Sequence, residues 1–354
     1  MTKILPLSNL VKWIDARNKT LVSTNLLGIN IEKYFMPSVA NIIGTDLSSY
    51  KVINKFQFAC NPMHVGRDEK MPIALYDKEE PSIVSPAYFV FEVIDSQIIN
   101  PEYLMLWFKR PEFDREVWFH TDGSVRGGIT WEEILEMTVP VPSIKDQLEI
   151  VNKYNNIENR ISVLRQINDN LESQAKTLFN KYLNASPNLF EDKFLIDICS
   201  IKYGKGLQIT DLLENGYCVF GSNGLIGYYS SYMYEEEQTT ISCRGASSGQ
   251  VNITLPKAFV TSNSLVLEAK NPLQYQFIKW SALTNSFEEY VTGSAQPQLT
   301  IDSLIPVKIK IPSADIPDLR GVLEQYSNLI YLNKLEILTI NKNFNMLLSQ
   351  FLSH

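Results

Sequence analysis

Two stretches of the chain carry apolar residues at a strict alternation of three and four positions. The first runs through Ile150, Tyr154, Ile157, Ile161, Leu164, Asn168, Leu171, Ala175, Leu178 and Tyr182, within a segment from Ser143 that contains neither Gly nor Pro. The second runs through Leu323, Tyr326, Ile330, Asn333, Ile337, Ile340, Phe344, Leu347 and Phe351. A heptad pattern keeps one narrow seam facing a partner helix, whereas a helix lying on a domain needs a wider stripe that drifts around its axis. The two seams therefore predict two long helices packed as an intramolecular coiled coil, with a large module strung between them. Two separate amphipathic helices, each on its own domain, are the alternative. If the helices run antiparallel and their seams are centred, facing residue numbers sum to about 501, and Asn168 meets Asn333 as one polar layer.

The remaining pattern is short apolar runs broken by Gly, Pro, Asn and Asp. Leu7, Leu10, Val11 and Ile14 lie at helical spacing and predict an amphipathic opening over Leu7 to Arg17. Phe56 to Cys60, Ile73 to Tyr76 and Ala87 to Ile94 read as strands. Pro101 opens a short helix over Tyr103 to Phe108, and Val139 to Pro142 is an edge strand or an extended exit. Ser143 and Asp146 make an N-cap for the first long helix, and Pro187 stops it. The second block reads similarly, with strands at Thr239 to Cys243 and Ser264 to Leu267. It has a short helix over Tyr275 to Leu283 and an exit at Ile309 to Pro312, and glycines mark its turns.

The halves repeat. At an offset of 170, Gly123-Ser124 matches Gly293-Ser294, Thr130 matches Thr300, and Pro142-Ser143 matches Pro312-Ser313. Beyond a small indel the offset becomes 173, and Ile150, Ile157, Leu164, Leu171 and Leu178 match Leu323, Ile330, Ile337, Phe344 and Phe351. Exits and helices are shared, while roughly 20–120 and 190–285 show little in common. One mechanical task performed on two different targets fits such a pattern.

Composition narrows the function by exclusion. The 354 residues, 45% hydrophobic and 20% charged, suit an ordinary soluble protein of two domains, with no apolar run of membrane-spanning length and no signal-peptide core. Cys60, Cys199, Cys218 and Cys243 are scattered without a paired motif, as expected in a reducing cytoplasm. His64, His120 and His354 form no zinc or protease motif. Gly245-Ala-Ser247-Ser-Gly249 fits a nucleophile elbow in spelling, but the only later histidine is the last residue, so a glycine-permitted turn is the better reading. Lys202-Tyr-Gly-Lys205-Gly206 is not a phosphate-binding loop, and no methyltransferase or dinucleotide motif is found. The chain is expected not to be an enzyme. Its net charge of −7 argues mildly against a nucleic-acid partner, though it says nothing about local patches.

Several segments resemble the specificity subunits of type I restriction–modification systems. In the first block these are Asp15-Ala-Arg-Asn18, Phe58-Ala-Cys-Asn-Pro-Met63 and Ile83 to Phe91. In the second they are Tyr203-Gly-Lys-Gly206, Gly221 to Tyr228 and Arg244 to Gly249, and the exits Gly123 to Pro142 and Gly293 to Pro312 add to them. The resemblance implies an α+β fold with two irregular α/β target-recognition domains, 1–142 and 187–313, and two long antiparallel coiled-coil helices, 143–186 and 314–354, in an internal pseudo-two-fold repeat. It implies a subunit binding bipartite double-stranded DNA, with methyltransferase subunits, two in number, and restriction/translocase subunits as partners. S-adenosylmethionine, ATP and magnesium would belong to those partners and no cofactor to this chain. A two-module structural adaptor without a DNA role is the competing reading, favoured by the acidic charge. One departure is visible: Asp146-Gln147 follows the first exit where the family often has Glu-Gln, but Pro317-Asp318-Leu319-Arg320 follows the second.

Base readout needs polar or cationic side chains on loops that reach a groove. The candidates are Asn61, His64 and Arg67 with Lys70 as a phosphate contact, and Lys205, Gln208, Asn223, Arg244 and Ser247. Asn61 before Pro62 is equally a turn former, and Asn223 equally a left-handed turn residue. Tyr228 and Tyr229 could support a displaced base, though half-buried strand aromatics are commoner. Coil and partner contacts fall to Ile150, Ile157, Leu164, Asn168, Leu171, Ile330, Asn333, Ile337 and Phe344. The seam from Ile150 to Leu178 spans about 42 Å at about 1.5 Å per residue, near the roughly 34–36 Å between half-sites one DNA turn apart, so the helices are expected to act as a ruler.

Overall fold

A computed structural model of the chain describes residues 2–39, 44–63, 65–121, 128–293 and 295–352, with only the backbone of Arg67 and of 345–352. The chain divides into two compact units, Met1–Ile161 with Thr339–His354, and Ser162–Leu338. His64, Gly123-Ser124 and Ser294 lie outside the described residues, as do the side chains of Leu347 and Phe351.

In the first unit the strands are β1 Lys3–Pro6, β2 Val11–Ile14, β3 Leu26–Ile29, β4 Phe35–Pro37, β5 Lys51–Ile53, β6 Gln57–Cys60, β7 Ile73–Leu75, β8 Ser82–Val84, β9 Phe89–Val93 and β10 Thr138–Val141. The short helices are α1 Val65–Asp68, α2 Pro101–Phe108, α3 Pro111–Phe119 and α4 Trp131–Glu136, and the long helix α5 Ile144–Ala185 leaves from here. The expected helix over Leu7 to Arg17 is not formed. That segment is a 3-10 turn at Leu7–Asn9, directly after β1, followed by β2 and the loop beyond it. Its spacing fits a helix, but Leu7, Leu10 and Val11 are each buried from non-local strands: β1 pairs with β10, β2 with β9, and the Leu7 amide donates to Met137 O at 2.8 Å. Tertiary pairing overrides the local period here.

In the second unit β11 Phe190–Phe194 is followed by α6 Leu195–Ile198, β12 Cys199–Tyr203, β13 Tyr217–Gly221, β14 Gly224–Tyr229, β15 Thr239–Ser242 and β16 Val251–Ile253. Then come β17 Phe259–Val260, β18 Ser264–Ala269, α7 Tyr275–Thr284, α8 Ile301–Leu304 and β19 Lys308–Pro312, and the long helix α9 Pro317–Leu352 starts from here. Its sheets show that the second block repeats the plan of the first, although the middle regions share little in sequence. The antiparallel sheet β12-β18-β15-β16 repeats the order of β2-β9-β6-β7, and β14-β13-β17, with its one parallel pair, repeats β4-β3-β8. Among the described residues, β5, on the edge beyond β8, is the one strand of these sheets that lacks a counterpart. Strands of two to six residues, joined by loops of different lengths, hide this equivalence from sequence.

The root of each module is the same device. β1 pairs antiparallel with β10, and β11 with β19, so each module begins and ends in one two-stranded ribbon. Where the ribbon ends, Leu195 N donates to Val307 O at 2.9 Å, just as Leu7 does to Met137. Thr130 and Thr300 cap α4 and α8, accepting from the amides of Glu133 and Ser303. The first long helix starts on Ser143, whose Oγ accepts from the Asp146 amide at 3.3 Å.

The seams form as expected through most of their length. Ile161 and Leu164 are buried, and Ile150, Tyr154, Ile157, Asn168, Leu171 and Leu178 are half-buried. In the first unit the Tyr154 and Phe344 rings meet edge to face at 4.9 Å. In the second, Asn333 Nδ2 donates to Asn168 Oδ1 at 2.8 Å, and the Tyr326 hydroxyl donates to Gln174 at 3.3 Å. Numbers rising on one helix meet falling numbers on the other, so the helices run antiparallel, in the register that the polar layer demanded. Tyr182 departs from the seam and is exposed, while Phe179 and Leu183 turn inward instead. There α5 leaves its partner helix and packs on the module core, where Phe179 meets Phe190 at 6.0 Å, so the stripe follows the natural helical period.

The junctions differ, as the departure after the second exit foreshadows. Gln147 is fully buried and makes three bonds: its Nε2 donates to Ile98 O and Pro142 O, both at 2.9 Å, and its Oε1 accepts from Asn100 N at 2.8 Å. It bolts α5 to the start of α2, whose N-cap is Asn100. Arg320, its counterpart by offset, bonds Asp315 and Glu324 instead.

Three outcomes follow for chemical and thermal denaturation. Asn168→Ala leaves the Asn333 amide without its partner and should cost roughly 1–3 kcal/mol. The Asn168→Leu/Asn333→Leu double variant should be more stable than the sum of its singles; strictly additive changes would mean the pair is not coupled. Gln147→Ala strands a buried amide and two carbonyls, so its melting temperature should fall further than that of Arg320→Ala, with no fall at all as the refuting result.

Candidate nucleic-acid interface

In the second unit three loops converge at one end of the sheet. β15 and β18 stand in register with Ser242 opposite Ser264, and just beyond, the Cys243 amide donates to Asn263 O at 2.9 Å. The Lys205 amide donates to Val260 O at 2.9 Å, and Lys205 O accepts from Ser262 at 2.9 Å. Gly204 makes this approach possible, because a Cβ there would sit 2.3 Å from the carbonyl oxygens of both Val260 and Thr261. Arg244 bridges to Gln298, and Gly245 N and Ser248 Oγ both donate to Pro297 O at 3.0 Å.

Lys205 and Arg244 therefore stand on neighbouring loops of one rim. The turn carrying Asn223 joins them, since Ser222 O accepts from the Ser242 hydroxyl and from Asn252 Nδ2. Lys205, Asn223 and Arg244 are exposed, and Ser247 is half-buried in the following turn. Among the described residues neither Lys205 nor Arg244 takes part in an ion pair, which leaves two cationic heads available to an anionic partner. Gln208 is exposed at the N-terminal position of a 3-10 turn over Ile209–Asp211, without a side-chain bond to cap it. Asn263, Gln296 and Gln298 join the rim and were not singled out from sequence; the polar run Ser262-Asn263-Ser264 between two apolar strands was the available signal. Gly245 and Gly249 have φ of 78° and 91°, so the Gly245 to Gly249 segment is the glycine-permitted turn expected of it. Burial pushes the Cys243 thiol up, away from a nucleophile's range. Tyr229 lies half-buried against Phe259, rings 5.2 Å apart, as a strand aromatic does.

The first unit places its candidates at the matching position. Pro62 O accepts from Ile129 N at 3.2 Å, just as Cys243 O accepts from Leu299 N at 3.0 Å, and each donor precedes a capping threonine. The segment after Pro62 thus occupies the place of the Arg244 turn. Asn61 is half-buried and its Oδ1 accepts from Met63 N at 3.1 Å, the turn-forming role that competes with readout. The backbone of Arg67 lies in α1, and His64 is outside the described residues. Lys70 is held by Glu32 at 2.9 Å, in an exposed pair that a phosphate can displace.

A network fixes the far end of this segment. Asp114 accepts from Met71 N at 3.1 Å and pairs with Lys33 at 2.8 Å, while Lys33 also donates to Phe108 O at 2.5 Å. Burial pulls the Lys33 pKa below its ordinary value, with Asp114 opposing. Lys33 closes the β3–β4 turn at φ 66°, so the turn and the segment are clamped together. No group of three or more potential metal ligands occurs among the described residues.

Comparison with known proteins gives this arrangement a family. The model for the type I restriction modification DNA specificity domain matches residues 15–173 and again 187–345. The EcoprrI type I restriction enzyme specificity subunit of Escherichia coli is 23% identical over 154 residues, a match spanning 40% of this chain and 38% of that relative's length. The crystal structure of a type I restriction–modification S subunit from M. genitalium superposes with a TM-score of 0.55 at 16% identity, covering 99% of this chain and 96% of that one, which shows a shared fold. Matched twice, once through each module and on into the helix that follows it, the chain belongs to the type I restriction–modification DNA specificity family.

Proposed function

We propose that this chain is the sequence-specific DNA-recognition subunit of a type I restriction–modification complex, each module reading one half of a bipartite double-stranded site. The observation that carries the reading is the duplication itself. Two sheets of one strand order offer different side chains from the same loop position, as two independent readers of two different half-sites require. Arg244, Lys205, Asn223, Asn263 and Gln298 supply the donors and acceptors that discriminate base edges in a major groove, and Arg244 on its turn is suited to a guanine. With a net charge of −7, the chain relies on partner subunits for a share of the phosphate contacts.

Those partners are two methyltransferase subunits and the restriction/translocase subunits, which bring S-adenosylmethionine, ATP and magnesium; the chain itself performs no chemistry and works in the cytoplasm. The coil residues are committed to the seam in this reading, so docking falls to the outer faces of the helices. There Val163 and Ile167 on α5, and Leu329 and Leu332 on α9, expose apolar side chains. Among the described residues no helix is long and apolar enough to cross a membrane. The helices act as the ruler between half-sites.

Methylome sequencing of a host carrying this chain with its methyltransferase tests the reading directly. A methylated bipartite motif that depends on the chain is expected, and its absence overturns the proposal. Arg244→Ala should weaken discrimination at one position of one half-site by roughly 1–3 kcal/mol and leave the other half intact; relaxation in both halves would mean the modules do not read independently. Inserting four residues at matched points of α5 and α9 adds about 6 Å to each. The non-specific spacer should then lengthen by one or two base pairs with both half-sites preserved, and an unchanged spacer would show that the helices are not the ruler.

A further inference from the structure

Each module carries a lysine that reaches from its short helix to the long helix beneath it. Lys109 follows α2. Its Nζ donates to the Tyr154 hydroxyl at 2.7 Å and lies 4.7 Å from the centre of that ring. Lys279 belongs to α7 and is 4% exposed. Its Nζ donates to Ser327 Oγ at 3.0 Å and to Glu237 Oε1 at 2.6 Å. The two lysines are related by the offset of 170 that relates Thr130 to Thr300, and the two hydroxyls by the offset of 173 that relates the seams. The acceptor has changed from tyrosine to serine and most of the intervening sequence has diverged, yet a cation bonded to a hydroxyl persists at both joints.

Holding a module on a helix does not require a buried charge. Apolar contact is non-directional and avoids the cost of taking an ammonium out of water, and a well-packed apolar substitute for a buried pair is often no less stable. Burial indeed pulls the pKa of both lysines below the ordinary value, opposed by Glu237 at one and Glu158 at the other. What the charged donor adds is direction. The first module has a second directional tie in the buried Gln147, whereas Arg320 at the equivalent place is spent on Asp315 and Glu324. In the second module the Ser327 hydroxyl gathers the polar links to α7, bonding Lys279 and also Gln276 Oε1 at 3.0 Å.

We propose that Lys109 and Lys279 are positioning residues that set the angle at which each module stands on its helix, the second module depending on its lysine more than the first. The inference concerns geometry and holds whatever the rim binds; its effect on half-site reading rests on the function proposed above. Distances between spin labels in the full-length chain, free of DNA and partners, therefore test it separately. Labels at Gln250→Cys in the module and Leu329→Cys on the outer face of α9 report the angle in a Cys218→Ala background, since the other three cysteines are buried.

The unaltered lysine should give one narrow distance distribution. Lys279→Met should displace it or at least double its width while a cooperative helical melt is retained, and Lys279→Arg should restore it. An unchanged distribution in Lys279→Met overturns the proposal. If that variant loses its cooperative melt, Ser327→Ala, which removes the acceptor and leaves Glu237 to neutralise the charge, carries the same two criteria. For the first module, labels at Lys78→Cys and Leu148→Cys should show a smaller widening with Lys109→Met than Lys279→Met gives; an equal or larger one overturns the asymmetry.

Discussion

The hydrogen-bonded ribbon at the root of each module is the constraint on which the architecture depends. Because β1 pairs with β10 and β11 with β19, the chain must return to the place where a module began before it can start a long helix. Closure entropy rises only slowly with loop length, so the residues between the two ribbon strands can vary in number at little cost. The capping threonine and the short helix before each exit strand then aim the chain into α5 or α9. The root repeats in both halves, while the loops that project from the shared strand order differ between them.

How much of this was legible depended on how local the determining interaction is. The seams and the Asn168–Asn333 layer were readable because a heptad is a statement about neighbours along one helix and the polar exception occurs once on each. Tyr182 was misassigned because extending a period cannot reveal where a helix changes partner, from helix to module core. Leu7 to Arg17 misleads because the apolar spacing of Leu7, Leu10, Val11 and Ile14 fits a helix, while the burial there comes from strands about 80 and 130 residues away. The common strand order of the two modules was invisible for the same reason: strands of a few residues carry no periodicity, and pairing sets their order.

The candidate interface shows the same division. Glycine and proline punctuation located the loops at Asn61, Lys205 and Arg244, because backbone conformation is written in those residue types. Which loops are neighbours was not written there. Asn263 and Gln298 enter the rim only through the Ser242–Ser264 register and the Arg244–Gln298 bridge. Gln147 stands between these cases: its place in a recurrent junction was readable, but its three bonds, which span up to 49 residues, were not.

The Asn168–Asn333 pair also has a consequence in time. Its two members are 165 residues apart in the chain. Synthesis runs from the N-terminus, so α5 emerges with its apolar seam complete while the whole second module and the start of α9 have still to be made. Through that interval the seam is a sticky surface without its cover, and the ribosome-bound chain is most exposed to aggregation or to premature capture by another helix. Antiparallel pairing of two distant helices thus leaves the nascent protein dependent on timely completion, or on a companion that shields α5 until its partner arrives.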